Sequence, residues 1–146
     1  MEQKIGVIGY GSMGKMIFSK FAQSKAIDTS NLFAANRTFE KTIDLNRIYP
    51  EINICGNNCA LAKEVDVLFI CVKPLEMKAA LMETIKNIRN NCHIISLNGS
   101  ILCKQLEQIC INKRISKVIP SATAEANQSV TLVCHNNFVE DEDKKF

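Results

Sequence analysis

The run KIGVIGYGSMGKMIFSKFAQS, residues 4–24, limits the fold more than any other part of the chain. Lys4 to Gly9 is a short apolar run of the kind that forms a buried strand. From Ser12 to Ser24 the apolar residues Met13, Ile17 and Phe21 recur every four positions, which is one face of a helix. Between them stand Gly9, Gly11 and Gly14. A strand turning directly into an amphipathic helix must send that helix back across the sheet, so the next strand is expected to lie parallel to the first with a right-handed crossover.

The rest of the chain continues the alternation. Asn31 to Ala35 reads as a second strand, and Thr38 as the N-cap of a helix that runs to about Arg47 with a thin apolar face. Ile52 to Cys55 is a short strand, and either Asn57 or Asn58 caps a brief helix ending near Glu64. Val65 to Val72 (VDVLFICV) is almost continuously apolar and rich in β-branched residues, as a strand covered on both faces should be. Pro74 suits the first turn of a helix whose stripe is Met77, Leu81, Ile85 and Ile88. His93 to Leu97 is a strand, Leu102, Leu106 and Ile109 mark a helix, and Lys117–Ile119 and Val130–Cys134 finish as strands. Strands alternating with helices over short loops predict an α/β fold, a doubly wound, mostly parallel sheet of the Rossmann type. The expected domain spans residues 1–138. The charged tail, Val139 to Phe146, is either a frayed end or the first turn of a helix that this chain does not complete.

Charge and cysteine usage narrow the functional classes. Eighteen basic and fifteen acidic residues leave a net charge of +3, evenly spread, which argues against nucleic acid or a membrane surface as partner. The seven cysteines include no Cys-x-x-Cys pair and several sit in apolar runs, so they read as buried free thiols in a reducing compartment. The opening MEQKIGVIG lacks a secretory pattern, and no apolar run reaches the ~18 residues of a membrane span. The expectation is a soluble, cytoplasmic protein.

The glycines have separable roles. Gly9 permits a tight turn, Gly11 lets a pyrophosphate approach the backbone, and Gly14 lets helix and strand pack closely. The N–H groups of Ser12, Met13 and Gly14, at the positive end of the helix, would face the phosphates. In an NAD site an acidic residue is expected at the end of the second strand, where it accepts hydrogen bonds from the ribose. This chain has Asn36 and Arg37 there, followed by Thr38, with Lys41 one turn on. The repulsion of a 2′-phosphate is gone and a forked cation is available, so the expected cofactor is NADP(H). The missing acid also argues against S-adenosylmethionine. On the far side, Val72, Lys73 and Pro74 close the strongest strand, with Lys73 either at the mouth of the cleft or simply a solvated lysine. Asn98 and Gly99 close the next strand, and Pro120 and Ser121 the one after. Asn58 could reach ribose or adenine, or could serve only as a cap. His93 and His135 have no companions at metal-ligand spacing, so no metal site is expected and both read as structural. No Ser-His-Asp set or nucleophile elbow appears, and no catalytic residue is assigned.

Taken together, IGVIGYGSMG, NRT at Asn36 to Thr38, Asn58, DVLFICVKP, Asn98-Gly99 and VIPSAT before VTLVC resemble the N-terminal coenzyme domain of pyrroline-5-carboxylate reductases. The resemblance covers nearly the whole chain. It implies NADPH as hydride donor and the imine carbon of 1-pyrroline-5-carboxylate as acceptor, giving proline. Gly9 to Gly14 would hold pyrophosphate, and Asn36, Arg37 and Thr38 the 2′-phosphate. Asn58 would contact the adenosine side, and Val72, Lys73 and Pro74 would line the cleft. Asn98, Gly99, Pro120 and Ser121 would approach the nicotinamide and substrate. Two departures stand out. Ile119-Pro120-Ser121-Ala122-Thr123 replaces the family's Met-Pro-Asn-Thr-Pro, and Asn127-Gln128-Ser129 replaces downstream glycines, a form closer to a late-competence paralogue of the reductase. The family also has a second, helical domain that forms the dimer and completes the substrate pocket. The expectation is therefore a coenzyme half, inactive alone, that forms a homo-oligomer only with that second domain. The alternatives are a non-catalytic NADP(H)-binding paralogue and another NADP oxidoreductase, such as a hydroxyacid or deazaflavin-linked enzyme.

Overall fold

The computed structural model describes residues 2–121, 123, 126, 128 and 130–145. Ala122, Asn127 and Ser129, which carry part of the departure from the reductase pattern, lie outside the described residues, as does Phe146 of the tail. Seven strands form one sheet in the order β3-β2-β1-β4-β5-β6-β7. They are β1 (Ile5–Ile8), β2 (Leu32–Ala35), β3 (Asn53–Ile54), β4 (Val67–Ile70), β5 (His93–Ser96), β6 (Arg114–Ile119) and β7 (Leu132–His135). The first six are parallel and β7 runs antiparallel to β6. The helices are α1 (Ser12–Ser24), α2 (Glu40–Ile48), α3 (Asn58–Glu64), α4 (Pro74–Thr84) and α5 (Cys103–Ile109). This is the doubly wound, mostly parallel sheet expected from the strand-helix alternation.

The alternation of side chains along each central strand builds two cores, one on each face. Ile5 and Val7 of β1, Leu32 and Ala34 of β2, and Val67 and Phe69 of β4 point to the face that carries Phe18 of α1 and Leu45 of α2. Ile8, Phe33, Ala35, Leu68 and Ile70 point to the other, beneath Leu61 of α3, Met77 and Leu81 of α4 and Leu106 of α5. A strand buried on both faces has no polar positions to spare, which is why β1 and β4 read as unbroken apolar runs. The chain runs from β1 outward to β3, then returns through β4 to the other side. The crevice between the carboxyl ends of β1 and β4 is thus the switch point where such sheets bind ligands.

Several local expectations are corrected. Thr38 is not the cap of α2. Its carbonyl accepts from Lys41 N at 3.2 Å and from Asn36 Nδ2 at 2.9 Å, so residues 36–39 form a turn and the helix begins at Glu40. Of the two caps left open for α3, Asn57 is the one used, as expected, its Oδ1 accepting from Ala60 N at 2.8 Å. The α4 helix stops at Thr84, so Ile85 and Ile88 of the expected stripe lie beyond it, although Ile88 is still buried. Strand β6 starts three residues before the expected Lys117. Its polar residues have distant partners: Ser116 Oγ lies 2.7 Å from His93 Nε2 and 2.6 Å from His135 Nδ1, and Asn136 Oδ1 accepts from Ile115 N. In the tail, Val139 is buried, Arg114 pairs with Asp143 at 2.6 Å, and Asp143–Lys145 make a 3-10 turn. All seven cysteines are free. Among the described residues no helix is long and apolar enough to cross a membrane.

Candidate functional site

The loop after β1 separates what the fold needs from what it leaves open. Gly9 has φ of 91°, a left-handed value that strains any other residue, and a side chain there would meet the Cys71 carbonyl oxygen at 2.8 Å. At Gly14 a Cβ would lie 1.9 Å from the Gly9 carbonyl oxygen. Both glycines are therefore demanded by packing alone. Gly11 is different. Its φ of −84° suits any residue, and a Cβ there would meet no protein atom within 4 Å. The space above Gly11 opens onto the helix N-terminus, whose first-turn N–H groups have no intrahelical acceptor and no side-chain cap. The residues present thus fit a bound pyrophosphate: a cradle that a Cβ would fill, with donors facing it.

One wall of the crevice is the turn after β2. Asn36 Oδ1 accepts from Tyr10 N at 2.9 Å while Asn36 Nδ2 donates to Thr38 O, so the side chain ties the glycine loop to the turn that displays Arg37. An aspartate could accept the first bond but could not donate the second, a physical reason for an amide at this position. Tyr10 in turn stacks edge-on against Phe18, with ring centroids 6.4 Å apart, anchoring the loop to the core. The Arg37 side chain is 85% exposed, and its Nη2 lies 3.1 Å from Glu76 Oε1 on α4.

The opposite wall is the end of β4 and the start of α4. Pro74 occupies the first helical turn, and Glu76 N donates to the Lys73 carbonyl at 2.9 Å. Between the walls lies a cleft of about 400 Å³. Of the residues expected at the site, Gly9, Gly11, Asn36, Arg37, Thr38, Asn58, Val72 and Lys73 line it, with Lys41. Ser12, Met13, Gly14 and Pro74 do not line it: Ser12 faces a separate hollow along α1, Gly14 is buried, the Met13 side chain packs against the core, and Pro74 opens α4 beside the lining residue Lys73. Asn98, Gly99, Pro120 and Ser121 do not line it. They follow the carboxyl ends of β5 and β6, farther along the same edge of the sheet. There the Gly99 carbonyl accepts from the largely buried Lys117 ammonium at 3.0 Å, and the Ser121 and Thr123 hydroxyls are 2.6 Å apart.

Sequence reasoning missed Tyr10 as the backbone donor to Asn36, and the acids Glu76 and Glu83 on the far wall. An acid in a first helical turn favours the helix and raises no suspicion; only the fold brings it to Arg37. Cys71 also lines the cleft, but burial pushes its thiol up to about 12, so it is no nucleophile at neutral pH. A larger hollow of about 690 Å³ lies at the opposite end of the sheet, where the strands begin. Its charges neutralise one another, Asp66 with Arg89 at 3.0 Å and Arg114 with Asp143, and parallel sheets of this kind bind ligands at the other end.

Comparison with known proteins agrees with this geometry. Residues 4–100 match the family described as NADP oxidoreductase coenzyme F420-dependent. ComE operon protein 4 of Bacillus subtilis is 38% identical over 130 residues, covering 89% of this chain and 47% of that protein. Pyrroline-5-carboxylate reductase 3 of the same organism is 32% identical over 151 residues, covering 99% of this chain and 53% of its own. Among solved structures, a pyrroline-5-carboxylate reductase of Coxiella burnetii superposes with a TM-score of 0.90 at 20% identity, over 99% of this chain and 54% of that one. The Plasmodium falciparum pyrroline carboxylate reductase, solved with NADP bound, superposes at 0.85 and 24% identity, over 98% of this chain and 52% of that one. These likenesses show the shared fold. The chain spans about half the length of the curated relatives it matches. Matched over 4–100 of its 146 residues, it belongs to the NADP oxidoreductase, coenzyme F420-dependent family, and its place there is with the coenzyme domain of the pyrroline-5-carboxylate reductases.

Proposed function

We propose that this chain binds NADP(H) in the β1–β4 crevice and serves as the coenzyme half of a reductase of the C=N bond of 1-pyrroline-5-carboxylate. The observation that carries the cofactor reading is the pairing of an open Gly11 with the Arg37 guanidinium on one cleft, where no carboxylate closes β2. When bound, the reduced nicotinamide supplies a hydride. The chain's residues do the positioning: first-turn N–H groups of α1 hold the pyrophosphate, and Asn36 fixes the turn that presents Arg37 to the 2′-phosphate. The Val72–Lys73 segment borders the path toward Asn98 and Gly99 at the nicotinamide end. The imine as acceptor rests on the reductase relatives. With it go, in the same proposal, a second, helical domain that completes the substrate pocket, a homo-oligomer formed through that domain, and a cytoplasmic setting; relatives about twice as long support the presence of further chain in such reductases.

A second reading is a paralogue that binds NADP(H) without reducing the imine. The 38% identity to ComE operon protein 4, against 32% to reductase 3, favours it, as does Ser121 after Pro120. Calorimetric titration with NADPH and NADH tests the cofactor reading. NADPH should bind more tightly, and Arg37→Ala should weaken NADPH by about ten- to a hundredfold, the worth of a charge-assisted hydrogen bond, with little change for NADH. No heat with either nucleotide, or a preference for NADH, refutes it. Imine turnover by the full-length natural polypeptide then separates the two readings.

A further inference from the structure

The cleft proposed for NADP(H) has an acid where a polyanion should bind. Arg37, the cation at the end of β2, has its Nη2 3.1 Å from Glu76 Oε1. This ion pair bridges the mouth of the cleft, from the β2–α2 turn to the first turn of α4. Resting on the cofactor reading, we propose that Glu76 is a specificity-determining residue: it holds Arg37 in the free protein and competes with the 2′-phosphate, lowering the preference for NADPH over NADH.

Of the two partners, Glu76 stands on the more firmly packed element. Its helix is seated on the sheet by Met77 and Leu81, both fully buried, and by Ala80, so the wall that carries the carboxylate cannot swing away. The Glu76 side chain is 39% exposed and that of Arg37 is 85% exposed, so the arginine is the partner free to move. Other charges on the cleft do not do this job. The second acid, Glu83, lies two turns along α4, where its carboxylate and carbonyl are approached by the Cys59 thiol. Lys41 and Lys73 line the cleft with no acidic partner among the described residues.

A 2′-phosphate at Arg37 must displace or share the Glu76 contact, and it brings about two negative charges toward a carboxylate carried on a packed helix. A ribose hydroxyl brings none. The cost therefore falls on NADPH and spares NADH. Because the pair is exposed, its effect is modest and screened by salt.

The test is calorimetric titration of the wild-type chain and of Glu76→Gln and Glu76→Lys with NADPH and with NADH at low salt, after melting curves establish that each variant is folded. Glu76→Gln should tighten NADPH by about two- to fivefold while NADH stays within about twofold, and Glu76→Lys should tighten NADPH further. The gain should shrink as salt is raised. If wild-type protein prefers NADPH but Glu76→Gln weakens NADPH, or leaves the NADPH-to-NADH ratio unchanged, this inference fails and the cofactor reading stands. If wild-type protein binds neither nucleotide, both fall.

Discussion

The glycine loop makes a prediction in which stability and ligand binding come apart. Gly14→Ala would put a methyl group 1.9 Å from the Gly9 carbonyl oxygen and 3.3 Å from Cys71 Cβ. Carbon and carbonyl oxygen keep about 3.3 Å apart, so α1 must withdraw from the loop by more than about 1 Å. It cannot do so freely: Phe18 is fully buried, and Met13, Ile17 and Phe21 pack on the same face of the sheet. Glycine to alanine in an unconstrained helix gains about 1 kcal/mol. Overpacking costs about 1–3 kcal/mol, and more when the obstacle is backbone that cannot rotate aside. The net expectation is a loss of about 2 kcal/mol or more, a fall of about 1 M in the urea midpoint followed by far-UV circular dichroism. Gly11→Ala is the control, because its backbone is in an ordinary region and the new methyl touches no protein atom. Its midpoint should stay within about 0.5 kcal/mol of wild type, while NADPH affinity drops by about tenfold or more. An unchanged midpoint for Gly14→Ala, or equal destabilisation by both substitutions, would refute the division between packing glycine and ligand glycine.

Three further outcomes are expected. Phe18→Ala removes a fully buried ring that also braces Tyr10, and should cost about 3–5 kcal/mol in urea unfolding. A loss under about 1 kcal/mol would show that α1 is not a principal anchor. Burial is the main cause that holds the His93 pKa near 4, below its ordinary 6.5; Arg114 and His135 add to that shift, and Asp143 opposes it. The unfolded chain therefore takes up this proton first as pH falls, so His93 should subtract no stability above about pH 6.5 and progressively more between 6.5 and 4. Melting curves across that range check the sign, and His93→Gln should flatten part of the slope. Burial also pushes the thiols of Cys71 and Cys92 up to about 12 and that of Cys110 up to about 11, whereas Cys134 is exposed. Native-state alkylation at pH 8, read by peptide mass mapping, should label Cys134 well before those three, and early labelling of Cys92 or Cys110 would contradict their burial.

What could be read along the chain, and what could not, follows the range of the forces involved. β1, the glycine turn and α1 are legible because strand period, helix period and glycine placement all act within about one turn or one pleat. β4 is legible because burial on both faces leaves a continuous apolar run. The same logic failed at the start of β6, where Arg114 and Ser116 look like loop residues. Their partners, Asp143, His93 and His135, are near only in the folded chain. It failed again at Thr38, whose carbonyl accepts from the Asn36 amide and from Lys41 N within a turn, so that helix α2 begins at Glu40, one residue later than a hydroxyl N-cap at Thr38 implied.

The site divides in the same way. The amino-acid order by itself determined that a phosphate-sized cradle follows β1 and that a cation replaces an acid at the end of β2, because backbone freedom and formal charge are properties of the residues. Tertiary structure alone decided that Asn36 serves the loop and that Arg37 meets Glu76 across the cleft. Those outcomes depend on which helices the sheet brings face to face, and contacts between residues dozens of positions apart leave no local pattern in a single chain.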